Sequence, residues 1–331
     1  MDIIKNKKVQ VLLGILLFIA CAIPLSWVAI FSSGFKIANV TSSNPTPFQP
    51  FQYTQAVRQQ RPPILNTLVP NEGLIPPEGQ INVLMLGSDW RPGGGFRTDV
   101  LLLMSIYTIE GKVKMLSFPR DLWVEQPGSE ENRINTAMGV GGFPLVTATF
   151  ERNFAIPVDF YIMTNFSGFK SIVDALGGIE INTPKTTSDS CDISYLDNKW
   201  CSVGPGTVQL DGEMALWYVR SRYTTSDFDR TRRAQEVAEG FFRKLMSLNA
   251  ISRAPEIYNL FIDSVETNLS LDAILSLLKV APEILADSSR VERYAIGLEH
   301  VTPTMTDAGA SILIPDYPAI WDIVVKTVYS P

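Results

Sequence analysis

The hydrophobic positions of this chain form one long apolar run near the N-terminus and many short periodic runs after residue 80. Residues 11–30 are twenty consecutive positions without a charge. As a helix they would extend about 30 Å, which is the thickness of the hydrocarbon core of a bilayer. We therefore expect a membrane-spanning helix over residues 11–31, preceded by a short tail of residues 1–10.

The charges around this run set its expected orientation. Lys5, Lys7 and Lys8 precede it and only Lys36 follows closely. The positive-inside rule then places the N-terminal tail in the cytoplasm and the main domain outside the cell membrane. A cleaved signal peptide and a lipoprotein signal at Cys21 are the alternatives. Both fit less well, because the apolar run continues for about ten residues past Cys21.

Proline separates the apolar run from the rest of the chain. Residues 41–80 contain eight of the 22 prolines and few charges, a composition typical of a semi-extended spacer. We expect a proline-rich linker over residues 32–80. The remaining segment, residues 81–331, has the length of one large domain, and no second linker or fixed-period repeat interrupts it.

The runs after residue 80 have two different periods. Short runs rich in Val, Ile, Leu and Met predict buried strands at 81–87, 99–107 and 112–118. Helical spacing predicts helices at 143–154, 166–176, 211–219, 227–248, 254–266, 271–285 and 317–328. The expected fold class is α/β: a single-pass membrane anchor followed by one α-β-α layered domain with a central mixed sheet. Gly177 and Gly178 mark the end of one helix and the start of a strand.

Composition restricts the chemistry. A net charge of -6 argues against general nucleic-acid binding, which requires a basic surface. One histidine, His300, and three cysteines exclude a zinc site built from several His and Cys ligands and leave little material for a histidine triad. Cys191 and Cys201 flank a polar stretch, and outside the membrane we expect them to form a disulfide, with two unrelated thiols as the alternative.

The first charged cluster follows the first predicted strand. Asp89 and Asp99 bracket a glycine-rich loop that is flanked by Arg91 and Arg97. Two carboxylates, completed by water and phosphate oxygens, suit Mg²⁺, and the arginines would face the phosphates. The alternative is an ordinary strand-end turn in which the aspartates cap backbone groups or pair with arginines.

Two further charged clusters lie downstream. Arg120 and Asp121 follow the third predicted strand, at a strand end where α/β sheets hold ligands, with a surface ion pair as the alternative. Residues 220–233 contain five arginines within fourteen residues. Asp227 and Arg230 share a face at the start of the predicted helix. Converging guanidiniums beside a helix N-terminus suit a diphosphate.

Part of the arginine-rich helix has an ordinary interpretation. Asp229 and Arg233 are four residues apart, as are Arg232 and Glu236. This spacing predicts two ion pairs on the solvent side of the helix.

Taken together, these segments resemble the LytR-CpsA-Psr family of cell-wall enzymes. Seven motifs occur in the family's order over about residues 81–245. They are LGSDWR (86–91), RTD (97–99), SFPRD (117–121), NRIN (132–135), VDALGG (173–178), LDGEMALWYVRSR (210–222) and SDFDRTRRAQ (226–235).

The resemblance implies a magnesium-dependent (or manganese-dependent) phosphotransferase. It would move a glycan phosphate from a polyprenyl (undecaprenyl) diphosphate carrier to a peptidoglycan hydroxyl during cell-wall assembly. Its implied partners are the lipid-linked glycan, peptidoglycan and the membrane, with no nucleic acid. The implied metal ligands are Asp89 and Asp99. The implied catalytic set is Asp89, Asp99, Arg120, Arg220 and Asp227, with Asp227 as a proton acceptor. The implied diphosphate contacts are Arg91, Arg97, Arg120, Arg220, Arg222, Arg230 and Gln235.

One residue departs from the family pattern. Ala234 stands where the family commonly has glutamine, and Gln235 points about 100° away from that position on a helix. Two other functions remain open at this point. One is a non-catalytic protein that binds a lipid diphosphate or wall polymer. The other is a hydrolase that cleaves the lipid diphosphate with water in place of the peptidoglycan hydroxyl.

Overall fold

The computed structural model describes residues 75–89, 96–196, 199–221, 227–246, 264–269, 277 and 280–331, without the side chains of residues 227, 228, 246, 281, 285 and 288. These ranges all lie within one unit of the chain, residues 50–331. The predicted cytoplasmic tail, membrane helix and nearly all of the linker lie outside them. No helix within the described ranges is both long enough and apolar enough to span a bilayer.

Fourteen strands and six α-helices lie in the described ranges. The strands are β1 Gln80–Ser88, β2 Thr98–Tyr107, β3 Lys112–Phe118, β4 Trp123–Val124, β5 Asn132–Arg133, β6 Phe160–Asn165, β7 Ile179–Thr183, β8 Thr187–Ser190, β9 Trp200–Val203, β10 Gly206–Leu210, β11 Val265–Thr267, β12 Val291–Ala295, β13 Val301–Met305 and β14 Ser311–Pro315. The helices are α1 Ala137–Phe154, α2 Phe166–Ala175, α3 Gly212–Arg220, α4 Asp227–Met246, α5 Ala281–Ala286 and α6 Tyr317–Val324.

Six strands form the central sheet in the order β11-β6-β1-β2-β3-β12. The three strands predicted from apolar runs form an antiparallel meander, with Leu84 opposite Leu103 and Leu103 opposite Leu116. β6 is parallel to β1, and β12 is parallel to β3. The prediction of an α/β fold with a central mixed sheet is therefore confirmed.

Helices cover both faces of the sheet. On one face Phe118 contacts Phe150 and Phe154 of α1, with ring centroids 4.9 and 5.2 Å apart. On the other face Val83, Leu102 and Met115 belong to a core cluster that includes residues of α4 and α5. Because side chains alternate along a strand, each strand serves both layers.

Most of the predicted helices are present, and two are described only in part. Residues 254–263 of the predicted helix 254–266 lie outside the described ranges, and Val265–Thr267 form β11, which pairs with β6. Pairing with a sheet edge therefore decided the end of this segment rather than local apolar spacing. In the predicted helix 271–285, Leu277 and α5 are helical, and most of the residues before α5 lie outside the described ranges. The C-terminal helix α6 ends at Val324 and continues as a π-helix over Val325–Tyr329.

Two local predictions, the glycine turn after α2 and the disulfide, are confirmed. Gly177 and Gly178 have φ angles of 75° and 81° between α2 and β7. A Cβ on Gly178 would lie 2.7 Å from the carbonyl oxygen of Leu210, so only glycine fits this turn. Cys191 and Cys201 form the expected disulfide, which closes the hairpin of β8 and β9.

Candidate functional site

Asp89 ties together the two ends of the loop between β1 and β2. Its Oδ1 accepts a hydrogen bond from the backbone N–H of Arg97 at 3.0 Å, and its Oδ2 lies 3.3 Å from the Arg97 guanidinium. The backbone N–H of Asp89 donates to the carbonyl of Arg97 at 3.1 Å. The carboxylate is therefore held at the end of the sheet by the strand that follows it.

Asp99, near the start of β2, lies at the same end of the sheet. Its Oδ2 is 3.0 Å from Nη1 of Arg120, which follows β3, and its Oδ1 accepts from the side-chain amide of Asn135 at 3.4 Å. Arg120 also contacts Asp121, which pairs in turn with Arg133 at 3.3 Å. Acidic and basic groups alternate along this edge, so their charges are largely balanced before any ligand arrives.

An apolar cavity of about 520 Å³ lies between the sheet and helices α2, α3 and α4. Met85, Leu102 and Ile162 line it from the sheet, and Val237 and Phe241 line it from α4. Its lining runs along α4 from Arg230 to Leu245, a distance of about 22 Å at the helical rise per residue.

The charged residues of the lining all lie at one end of the cavity, which we call the mouth: Asp89, Asp99, Arg220 and Arg230. The end of β1, the start of β2, the end of α3 and the start of α4 meet there. The Arg220 guanidinium lies 4.4 Å from the centroid of the Phe166 ring, a cation–π contact that orients it. Arg230 is only 9% exposed.

A second, much smaller cavity of about 20 Å³ adjoins the mouth and is lined by Asp99, Arg120, Arg230 and Ala234 among others. Ala234 lines both cavities. Gln235 does not take its place, because its side-chain amide is buried and donates to the carbonyl of Tyr294 in β12. The structure thus separates Gln235 from the mouth.

The remaining predicted site residues fall into two groups. Arg97 is exposed and bound to Asp89, and it is absent from the linings of both cavities. Arg91, Arg222 and the side chain of Asp227 lie outside what the structure describes.

The Arg232–Glu236 ion pair predicted from helical spacing is present. It does not lie on the solvent side of the helix, however, and neither does Arg233. Arg233 and Glu236 are 0% and 2% exposed. Glu236 accepts a hydrogen bond from the Tyr218 hydroxyl at 2.6 Å and from Arg232. Burial and the bond to Glu236 raise the pKa of Tyr218. The cause is that α3 packs against this side of α4, which helical spacing alone does not reveal.

Asn135, Phe166 and Arg233 also support the site, and sequence reasoning gave them no role there. Asn135 is 1% exposed and holds Asp99. The NRIN motif was the available signal for Asn135, but only the fold brings it to Asp99. Nothing in the sequence around Phe166 indicates that it stacks under an arginine more than fifty residues away.

The carboxylates of Asp89 and Asp99 are the side chains of the mouth whose chemistry suits a hard metal ion. Among the described residues, no cluster of three or more His, Cys, Asp or Glu residues forms a ready-made metal site. Mg²⁺ commonly uses one or two protein carboxylates and takes its other ligands from water and substrate phosphates. The donor set of Asp89 and Asp99 therefore fits Mg²⁺ together with a phosphate-bearing ligand.

The cavity is elongated and apolar and has aspartates and arginines at one end, a geometry that suits an amphiphile with a charged head. The LytR_cpsA_psr family model matches residues 49–320. The chain therefore belongs to the LytR-CpsA-Psr family, as its motifs predicted.

Relatives and solved structures agree with this assignment. The chain is 34% identical over 206 residues to the polyisoprenyl-teichoic acid–peptidoglycan teichoic acid transferase TagU of Oceanobacillus iheyensis, a match that covers 60% of this chain and 62% of the relative. It therefore spans less than two thirds of that relative's length. The crystal structure of TagV of B. subtilis shares the fold with a TM-score of 0.63 at 24% identity, over 76% of this chain and 98% of that one. A structure of TagT bound to LI-WTA has a TM-score of 0.57 at 26% identity, over 75% of this chain and 88% of that one.

Proposed function

We propose that this protein is a transferase that moves a glycan phosphate from a polyprenyl diphosphate carrier, undecaprenyl in the cell, to a hydroxyl of peptidoglycan. The observation that carries the proposal is the apolar cavity with its charged mouth. The printed name of the TagU relative, a polyisoprenyl-teichoic acid transferase, supports the same substrate class.

The polyprenyl tail occupies the cavity and the diphosphate lies at the mouth. The lining offers aliphatic and aromatic side chains along the whole length of α4 and charged groups only at its start. The transfer of an isoprenoid chain from water to such a surface is favourable, because it removes apolar area from water. Arg220 and Arg230 then contact the phosphate oxygens, since guanidiniums bind them bidentately.

Asp89 and Asp99 would hold Mg²⁺, or Mn²⁺ in its place, beside the diphosphate. The metal supplies charge neutralisation at the phosphate oxygens. Both aspartates are paired with arginines, Asp89 with Arg97 and Asp99 with Arg120. Substrate binding therefore exchanges partners within one charged cluster, so that no bare charge needs to be buried.

In the transfer step, the acceptor hydroxyl attacks the phosphorus that carries the glycan. The bond between this phosphorus and the bridging oxygen breaks, and the bridging oxygen leaves with the polyprenyl monophosphate. The hydroxyl proton passes to Asp227, at the first position of α4. Arg120, Arg220 and Arg230 stabilise the charge that shifts to the leaving phosphate, and such positioning and neutralisation provide most of the catalysis in phosphoryl transfer.

The same proposal includes a location. Residues 11–31 cross the cell membrane once with the N-terminus in the cytoplasm, and residues 81–331 work outside it. The Cys191–Cys201 disulfide favours this side of the membrane, because disulfides persist in oxidising compartments.

Binding of farnesyl diphosphate, a short polyprenyl diphosphate, tests the site. The full-length protein in detergent is titrated with and without Mg²⁺, alongside Asp89→Asn, Arg220→Met and the control Arg243→Met. Arg243 lies near the other end of α4 and pairs with Glu239. We expect Mg²⁺-dependent binding that the two mouth variants weaken by about tenfold or more and the control leaves unchanged. Equal binding by all four proteins would refute the site.

Product analysis separates transfer from its alternatives. Labelled lipid-linked glycan is incubated with the protein, with and without peptidoglycan. Label that becomes attached to peptidoglycan supports the transferase. Release of glycan phosphate in the absence of peptidoglycan would identify a hydrolase, and binding without turnover would identify a receptor.

A further inference from the structure

Arg220 is followed by Ser221, and Ser221 is held from two sides by residues that do not line the cavity. Ser221 ends α3 and is 5% exposed. Its carbonyl accepts a hydrogen bond from Nη2 of Arg233 at 2.7 Å, and its hydroxyl donates to Oδ2 of Asp189 at 2.7 Å. The peptide that carries Arg220 is therefore anchored through both its backbone and a side chain.

The guanidinium of Arg233 donates hydrogen bonds to carbonyl groups at the end of α3. In addition to Ser221, it donates to the carbonyls of Tyr218 and Asp229. The last carbonyls of a helix have no partner within the helix, and a cation is favourable beside them. Arg233 is 0% exposed, and burying a guanidinium in this way is tolerated only when its donors are well satisfied. Lysine has the charge but lacks the planar fork.

Asp189 reaches Ser221 from the disulfide-closed hairpin. It lies in β8 directly opposite Cys201 of β9, and Cys201 is bonded to Cys191, two residues after Asp189. Its other carboxylate oxygen accepts from the backbone N–H of Ser190 at 2.7 Å. Asp189 is 8% exposed. The disulfide thus fixes the strand position from which this carboxylate acts.

We propose that Asp189 and Arg233 are positioning residues that clamp Ser221 and thereby aim Arg220 at the diphosphate, with the Cys191–Cys201 hairpin as the support of the clamp. This inference rests on the proposed function and deepens it. Neither residue lines the cavity. Substitution of either one therefore affects recognition of the phosphate head and leaves recognition of the apolar tail intact.

The test compares two probes that share a tail, farnesyl diphosphate and farnesol, in the full-length protein with Mg²⁺. The variants are Asp189→Asn, Ser221→Ala and their double variant. Ser188→Ala is the matched control, since Ser188 lies in the same strand and its hydroxyl bonds to that of Ser202 on the exposed face of the hairpin. Ser221→Thr keeps the hydroxyl and serves as the rescue variant.

We expect Asp189→Asn and Ser221→Ala each to raise the Kd for farnesyl diphosphate by about five- to tenfold without changing the Kd for farnesol. The double variant should be no weaker than the weaker single variant, because both substitutions act on the same contact. Ser221→Thr and Ser188→Ala should bind like wild type. Cys191→Ser/Cys201→Ser should reproduce the loss seen with Asp189→Asn.

Other results overturn the proposal. If Asp189→Asn and Ser221→Ala bind farnesyl diphosphate with wild-type affinity, the clamp is refuted and the proposed function is unaffected. Parallel weakening of farnesol binding would mean general damage to the fold. If wild type itself does not bind farnesyl diphosphate, the proposed function fails and the clamp fails with it. Arg233→Lys, which retains charge, should also lose affinity for the diphosphate, and unchanged affinity would contradict the role of its fork.

Discussion

The central sheet is apolar on both faces, and the two faces are covered differently. On the face that carries Phe118, aromatic rings of α1 fill the space against the strands. On the opposite face, beside the buried cluster that contains Val83 and Met115, the strands and α4 enclose about 520 Å³ that the described residues leave open. Protein interiors are normally packed without voids of this size. The difference leaves room for a ligand on the second face only, as the proposed function requires.

The largest effect is expected on the packed face. Phe150 is 0% exposed and contacts Phe118 and Phe154. We expect Phe150→Ala to lower the free energy of unfolding by about 3–5 kcal/mol, since it leaves a cavity in a filled layer. Urea unfolding measures this change. Phe241→Ala, in the lining of the open face, should cost less than half as much, and equal costs would contradict the contrast between the faces.

Charge removal at the mouth should affect activity and spare the fold. Asp99→Asn keeps the shape of the side chain and removes a proposed metal ligand. We expect transfer activity to fall by about 100-fold, as for loss of other preorganised electrostatic groups, with a change in the free energy of unfolding below about 1 kcal/mol. The initial rate of label transfer to peptidoglycan and a urea curve measure the two quantities. Activity within a factor of two of wild type would exclude Asp99 from the reaction.

Filling the open face should block the ligand with little effect on stability. Ala238 lines the cavity, so the ring of Ala238→Phe enters open space. We expect the Kd for farnesyl diphosphate to rise by about tenfold while stability changes by less than about 1 kcal/mol. Ala215→Phe is the matched control, because Ala215 is 0% exposed in α3, where overpacking typically costs about 1–3 kcal/mol. Unimpaired binding by Ala238→Phe would place the tail elsewhere.

The smallest expected effect concerns the pH dependence of stability and Lys114, which is buried on the packed face of the sheet. Its Nζ donates to the carbonyls of Lys326 and Ser330, both at 2.9 Å. Burial lowers its pKa below the ordinary value of 10.5. Between the two pKa values the unfolded chain binds more protons than the folded one, so this group makes stability rise with pH. Stability curves of wild type and Lys114→Met should show a steeper rise for wild type as the pH approaches 10.5, and parallel curves would disprove the shift.

Elements with strong local patterns could be predicted from the sequence. The first three strands and the helices α2, α3 and α4 were expected at nearly their observed positions, because their apolar periods are long and uninterrupted. The short strands β8 and β9 and the edge strand β11 were not expected. Their few residues form strands only because a partner strand lies beside them.

The site could be predicted in part. Asp89, Asp99, Arg220 and Arg230 were singled out by residue type and spacing, and all four line the mouth. Gln235 was included and is turned toward β12. Arg233 was interpreted as a solvent-side residue and is fully buried. The spacing of charges on a helix is the same whether the helix faces water or another helix, so the sequence could not distinguish the two situations.

The sequence alone determined the family, the α/β class, the disulfide pair and the candidate residues for a phosphate site, because each depends on residue type and local order. The tertiary structure decided which apolar positions fill a core and which line a cavity, and which arginines lie at its mouth. It also decided that Ser221 is clamped between Asp189 and Arg233. These properties depend on contacts between residues distant in the chain, and such contacts exist only once the helices have packed on the sheet.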